Sequence, residues 1–396
     1  MNKITTKATL LLAATMTVMA GAIIAPSLPQ IAEVFENIPR IDLLTKLVLT
    51  LPALFIAIFS PIAGKIADSL GRLPLLMGSL LLYALGGAAA YLLNDVYLIL
   101  VSRAVLGISV AGVMTATVTL AGDYFQGKER ESFIGIQSAF MALGGVVFVI
   151  VGGLLADLSW RAPFLIYLLS LLSLPILLLA WWVLKEPARM PSKPANDTQE
   201  RSSATALPGI VWLIYASVFT GMILFYMIPV QIPFLLKELG VVENTLSGVA
   251  IGTGTFFAAV ASLSYRKLAQ KMSFQTFFAL AYLLIAVGYG LISISESFTT
   301  LLMSLGISGL GLGLLIPNTN IWLLSILPEK VRGFGMGLSG AFLFIGQFFS
   351  PIAVKPLVDA FSLSAAFGYA VILALLLSVL FTTLHFRKKH KKHQMV

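Results

Sequence analysis

The 396-residue chain has no cysteine, only three histidines and few charges, with Asp, Glu, Lys and Arg together at 11%. Without a thiol it can form no disulfide, no cysteine-ligated metal site and no thiol nucleophile. The histidines, His385, His390 and His393, all lie near the C-terminus, and neither an HExxH zinc motif nor a GxxxxGK[ST] phosphate loop occurs. No convergent serine or acid pair suggests a membrane-embedded hydrolase. Enzyme chemistry and ATP-driven work by this chain alone are therefore not expected, nor are a cofactor or a metal.

Apolar sequence fills the space that charge leaves. Hydrophobic residues make up 58% of the chain and the mean hydropathy is +0.96, which no water-soluble domain carries without large exposed apolar patches. Runs of about 20 apolar residues, the length that crosses a bilayer as a helix, recur between short polar breaks. They predict twelve spans at 8–28, 45–67, 73–93, 97–120, 132–155, 161–183, 208–230, 246–265, 274–293, 299–325, 335–356 and 363–385. Nothing alternates as the strands of a β-barrel would. The expected class is an all-α polytopic membrane protein.

Charge placement predicts orientation. The net charge is +9, and its cations, including Arg266, Lys267, Lys271, Lys330, Arg332 and the tail RKKHKKH, gather at the termini and in the even-numbered loops. By the positive-inside rule both termini are expected in the cytoplasm, and scattered topogenic charge argues against a nucleic-acid partner. The tail would anchor near anionic headgroups. The first apolar run imitates a signal peptide, but it is too long for an h-region and lacks a small-x-small cleavage site, so it is read as a retained span.

One polar segment, PSKPANDTQERSSATAL, interrupts the pattern. It divides the chain into residues 1–190, a linker at 191–207 and residues 208–396, each flanking part holding six spans. Asn196-Asp197-Thr198 within it is a chance sequon in a cytoplasmic segment. The two halves resemble each other in order: LGIS recurs at 106 and 305, GIQSAFMALGG from Gly135 matches GLSGAFLFIGQ from Gly337, Asp157 falls opposite Asp359, and PSLP answers PVQIP. Paired six-span repeats with a path at their interface are an arrangement of secondary transporters.

The segment GKIADSLGRLPLL, from Gly64, resembles the loop between spans 2 and 3 of the major facilitator superfamily through Gly64, Ala67, Asp68, Gly71, Arg72 and Pro74. Arg103 and Gly107 resemble the RxxxG motif of its span 4, and IPNTN, VRGFGMG and GQFFSP resemble spans 10 and 11 of its twelve-span drug/proton antiporter branch. SWRAPF resembles its junction between spans 5 and 6. The resemblance covers essentially the whole chain and implies the major facilitator fold, with two pseudo-symmetric six-helix halves.

The resemblance further implies a conformational latch of Gly64, Asp68, Gly71, Arg72 and Asp123. Asp68 would dock at the start of span 11, where Gly333, Gly335 and Gly337 admit a neighbour to exposed N–H groups, with Arg72 orienting it and Asp123 tuning it. Ser69 and Leu73 depart from the family's basic residues. Span 5 keeps Gly152 and Gly153 but has Phe148 and Val149 in place of Gly-Pro, so its helix should be less kinked. Gly107, Ala111, Gly145 and Gly152 read as packing surface.

Polar residues inside spans are the candidates for proton coupling or substrate contact, because lipid offers them no partner. Arg103 is read as the one interior charge, with three roles open: bonding backbone carbonyls or Gln30, proton exchange, or holding an anionic substrate. Gln137, Gln231, Asn318, Asn320 and Gln347 complete the polar set, and of Asn318 and Asn320, two residues apart, at most one can face a central path. Met16, Met114, Phe140, Met141, Tyr215, Tyr226 and Phe342 are candidates for an adaptable apolar cavity lining.

These readings converge on a proton-linked exporter of small lipophilic compounds, working by alternating access in the inner membrane as a monomer. The alternatives are a narrow-substrate exporter of a sugar, metabolite or siderophore, an importer of the same fold, or a non-transporting sensor. Coupling is the least legible part, because LLLAATMTVMAGAIIAPSLP holds no acid. The proton would then fall to Asp68, Asp123 or Glu33 at span ends, and a positive centre set by Arg103 would favour neutral or anionic substrates over cations.

Overall fold

The computed structural model describes residues 3–174 and 207–393, and among these every regular element is a helix. In lipid a backbone must satisfy its own polar groups, which a helix does within one segment. The order is α1 (Lys3–Ala22), α2 (Leu28–Val34), α3 (Ile41–Leu70), α4 (Arg72–Ala88), α5 (Val96–Tyr124), α6 (Gly127–Leu158), a 3₁₀ helix (Ala162–Ser173), α7 (Gly209–Glu238), α8 (Asn244–Leu268), α9 (Phe274–Ser293), α10 (Phe298–Ile326), α11 (Arg332–Ala360) and α12 (Leu363–His393).

Eleven segments among the described residues are long and apolar enough to cross a membrane. The 3₁₀ helix opens the sixth expected span; the remainder of that span, and nearly all of the expected linker at 191–207, lie outside the described residues. The first span bends where Pro26 and Pro29 remove backbone donors, passing through the short 3₁₀ turn Ala25–Ser27 into α2. α3 starts at Ile41 rather than 45 and so takes Lys46 into its second turn. α6 is continuous through Phe148 and Val149, and α10 through Pro317. Between α3 and α4 stands one residue, Gly71, at φ 98° and ψ 158°. Only glycine takes that conformation without strain.

Helices of the first half pack mainly on one another, α5 against α3 and α4, and those of the second likewise, with α10 between α8 and α9 and α11 on α7. The halves meet chiefly where α6 packs on α8 and α3 on α11. Because successive spans alternate in direction, the start of α1 and the α3–α4, α5–α6, α8–α9 and α10–α11 turns share one face, here the terminal face. The α2–α3, α4–α5, α7–α8, α9–α10 and α11–α12 turns share the far face.

Candidate functional site: a cavity at the seam of two halves

A cavity of about 330 Å³ lies at the seam, walled by α1, α3, α5 and α6 on one side and α7, α10 and α11 on the other. Met114, Met141, Met222, Phe225, Phe344 and Leu49 supply much of its surface, and Thr17, Tyr226 and Gln347 are its hydrogen-bonding side chains. None of its lining residues is charged. Such a lining adapts to apolar shapes through flexible thioethers and offers few fixed polar contacts.

Toward the far face the seam is shut. The Asp157 carboxylate, at the end of α6, accepts from the backbone N–H of Asn244 (2.6 Å) and of Thr245 (3.1 Å) and from the Thr245 hydroxyl. An acid on the orphan donors of a helix N-terminus is favourable both as a cap and against the helix dipole. Gly248 brings α8 against α6 so closely that a Cβ there would lie 2.6 Å from the Val149 carbonyl oxygen. Glu33 and Lys237, both exposed, form an ion pair between the α2 end and α7.

Toward the terminal face the halves part. A second space, about 590 Å³, opens between α3 and α11 and is lined by Ala57, Ser60, Pro61, Phe334, Gly337 and Leu338 among others. Phe344 belongs to both spaces, so the central cavity is continuous in direction with this opening. The central chamber is thus shut at one end and opens toward the other.

The sequence matches the family profile of the Major Facilitator Superfamily over residues 10–295 and 214–394. The chain belongs to the Major Facilitator Superfamily. The multi-drug resistance efflux pump PmrA of Streptococcus pneumoniae is 24% identical over 93% of this chain and 94% of its own. The quinolone resistance protein NorA of Staphylococcus aureus is 22% identical over 76% and 77%, and the class D tetracycline resistance protein of Salmonella ordonez 28% over 64% and 65%. Among solved structures, a D-xylose-proton symporter superposes with a TM-score of 0.77 at 14% identity, covering 96% of this chain and 97% of its own. A bacterial homologue of the lysosomal transporter Spinster does so with 0.73 at 17%, covering 96% and 94%. The protein is thus a multi-pass membrane transporter of small molecules and not an enzyme.

Within this superfamily member the latch candidates lie at the terminal face. Arg72 Nε stands 3.5 Å from Asp123 Oδ2, while Asp68 is exposed at the end of α3. A Cβ at Gly64, Gly333 or Gly337 would meet nothing within 4 Å, and Gly335 faces Leu327 and Tyr215 of its own half. At these glycines, span 11 and the Asp68 loop are not in close approach in this open-terminal state.

Arg103 sits elsewhere than a positive central field requires. It is fully buried and does not line the cavity. Its Nη2 donates to the carbonyls of Gly86 (3.0 Å) and Gly87 (2.5 Å), its Nε approaches Ser102 Oγ at 3.4 Å, and its guanidinium lies over Phe164 and Tyr167. Those carbonyls belong to the last turn of α4, where helix oxygens lack internal partners and the dipole favours a cation. Of the three roles, the carbonyl-bonding one matches this geometry.

The other candidates separate. Met114, Met141, Tyr226 and Gln347 line the cavity. Met16 is buried in the first half, its carbonyl accepting from the Tyr83 hydroxyl at 2.7 Å, and Phe140 is exposed and does not line the cavity. Tyr215 donates to Gly335 O (2.8 Å) and stacks on Phe342, so both pack within the second half. Asn318 is buried, accepting from Tyr265 and donating to Phe274 O at 3.0 Å each, which leaves Asn320, exposed, on the helix face of the cavity residue Ile316. Gln137 stands one turn before Met141 toward the terminal face and is half-buried. Gln231 is fully buried in α7. Thr17, Met222, Phe225 and Phe344 escaped the sequence reading, as did Lys46. This second interior cation, 6% exposed, corrects the view that Arg103 is alone; one lysine in TKLVLTLP barely lowers local hydropathy.

Proposed function

We propose that the protein exports small, lipophilic, uncharged compounds in exchange for protons, from a bacterial-type inner membrane with both termini in the cytoplasm. The observation that carries this reading is the central cavity, whose lining is methionine, phenylalanine and aliphatic carbon with three hydrogen-bonding side chains and no charge. A sugar would leave most of its hydroxyls unpaired there, which costs about 1–3 kcal/mol for each buried unpaired group. A fixed cation or anion would meet no counter-charge. The efflux pumps named above support the export direction. Lys65, Arg72, Lys128, Arg266, Lys271 and Arg387 on the terminal face support its cytoplasmic placement. In that frame the observed state is open to the cytoplasm, where a drug would be taken up.

The experiment is uptake into everted vesicles from a pump-deficient host, under an imposed pH gradient, of radiolabelled chloramphenicol as a neutral probe, with ethidium and fluorescein as cationic and anionic ones. Accumulation of the neutral probe above control vesicles is expected, with little of either ion. Strong selectivity for the cation, or no difference from control vesicles for any probe, overturns the reading in favour of a hidden carboxylate or a narrow substrate.

A further inference from the structure

We propose that Lys46 carries the proton of the transport cycle, an inference that rests on the proton-linked reading above. The cavity lining includes no carboxylate and α1 holds none, while Glu33 of α2 is exposed and paired with Lys237, so the usual interior carrier is missing. Lys46 is a titratable group held at the moving seam. It is 6% exposed, and its Nζ lies 5.0 Å from the centre of the Phe234 ring, which belongs to α7 of the other half.

The charges around it do not neutralise it. Asp42 lies one turn earlier on α3, Glu238 ends α7, and Lys355 and Asp359 face it from α11. Lys355 Nζ already holds Asp359 Oδ1 at 2.8 Å, and among the described residues no carboxylate comes within ion-pair distance of Lys46. A cation kept from water without a paired anion is costly. An arginine would have to bear that cost permanently, whereas a lysine can give up a proton.

Its position links the two faces. Lys46, Leu49, Ala53 and Ile56 follow one another at helical spacing along α3, and the last three line the central cavity. Lys46 therefore stands one turn beyond the cavity roof, at the far-face seam. The internal repeat sharpens the point. At the equivalent seam Asp157 caps α8, whereas its counterpart Asp359 is taken up by Lys355, and the α3 side presents Lys46.

The cycle then follows. When the far face opens, Phe234 leaves α3, Lys46 meets water and its nitrogen lone pair takes a proton from hydronium. On sealing, the N–H bond breaks, the electron pair stays on nitrogen, and the proton passes to water in the cavity, which leads to the terminal face. One proton moves from far to terminal side as substrate moves the other way, and no interior carboxylate is needed.

The test uses full-length protein in liposomes, with radiolabelled chloramphenicol as the probe and a trapped pH dye, comparing wild type with Lys46→Arg and Lys46→Gln. Both variants are expected to lose gradient-driven accumulation by about tenfold or more and to lose probe-dependent proton movement, while downhill counterflow stays within about threefold of wild type. A merely structural cation over Phe234 would be rescued by arginine, which stacks on aromatic rings at least as well. Normal coupled transport by either variant therefore overturns the inference. Should Lys46→Gln fail to fold, Lys46→Arg decides alone. Wild-type protein that moves the probe without protons, or moves none, instead overturns the proton-linked reading, and the inference with it.

Discussion

The Asp157 carboxylate fastens the end of α6 to the first turn of α8, accepting from Asn244 N at 2.6 Å and Thr245 N at 3.1 Å, so one side chain from the first half caps a helix of the second. The contact belongs to the shut far face. Replacing it with alanine should cost about 0.5–2 kcal/mol of the shut state and shift the shut–open equilibrium toward open by roughly twofold to thirtyfold. Because the chain has no cysteine, a single Ser247→Cys in the buried first turn of α8 can report this. Faster maleimide labelling from the far side is expected with Asp157→Ala, and Asp157→Asn should fall between.

A paired glycine experiment separates seam from core. Gly248→Ala places a methyl 2.6 Å from Val149 O and 3.1 Å from Ile150 Cα, across the halves, whereas Gly309→Ala meets the Gly254 backbone inside the second half, with Cα at 3.2 Å. The first should remain folded, label readily at the far face and transport about tenfold less; the second should lower the unfolding temperature, since a core overpacked by a methyl loses about 1–3 kcal/mol. Thermal unfolding in detergent, beside labelling, tells them apart.

Arg103→Ala removes the Nη2 group that donates to both Gly86 O and Gly87 O and leaves a hole between Phe164 and Tyr167. A loss of about 1–3 kcal/mol is expected for each buried carbonyl left without its donor, read as a fall in folded yield and unfolding temperature. Lysine should rescue only part, being a point donor without the planar fork. The protein that does fold should keep wild-type probe selectivity, because Arg103 does not touch the cavity.

For the proposed latch, Asp68→Asn should lower transport at least about tenfold with unchanged protein in the membrane, since a neutral amide loses most of its attraction to a helix N-terminus. The variant should favour the open-terminal arrangement described here, in which a methyl group added at Gly64 or Gly337 would find no neighbour within 4 Å. Well-expressed protein with normal transport would remove the latch.

The membrane-spanning fold was legible because a 20-residue apolar run has one use in lipid, and the superfamily because Gly64, Asp68, Gly71 and Arg72 form a spaced motif. The site was legible only in part. A helix that is apolar all round does not say which side faces protein, so Phe140, exposed and outside the cavity lining, and Met141, in the cavity, looked alike. Asn318 and Gln347 are both polar residues within spans, yet one is consumed by Tyr265 and Phe274 O and the other lines the cavity. Partnership is a tertiary fact. The repeat that aligned Asp157 with Asp359 could not reveal that one would cap a helix and the other pair with Lys355.

Gly71 joins α3 to α4 with a single residue at φ 98°. A joint that short has no slack, and it is stiff against everything except torsion about its own bonds. Any tilt of α3 relative to α11 would have to carry α4 with it, as the second arm of a bent lever. Through α4 the load reaches the Gly86 and Gly87 carbonyls and the arginine bound to them. A movement of the first half would thereby be geared from the turn at one face to the clamp near the other, and a longer, looser connection would let α3 move alone.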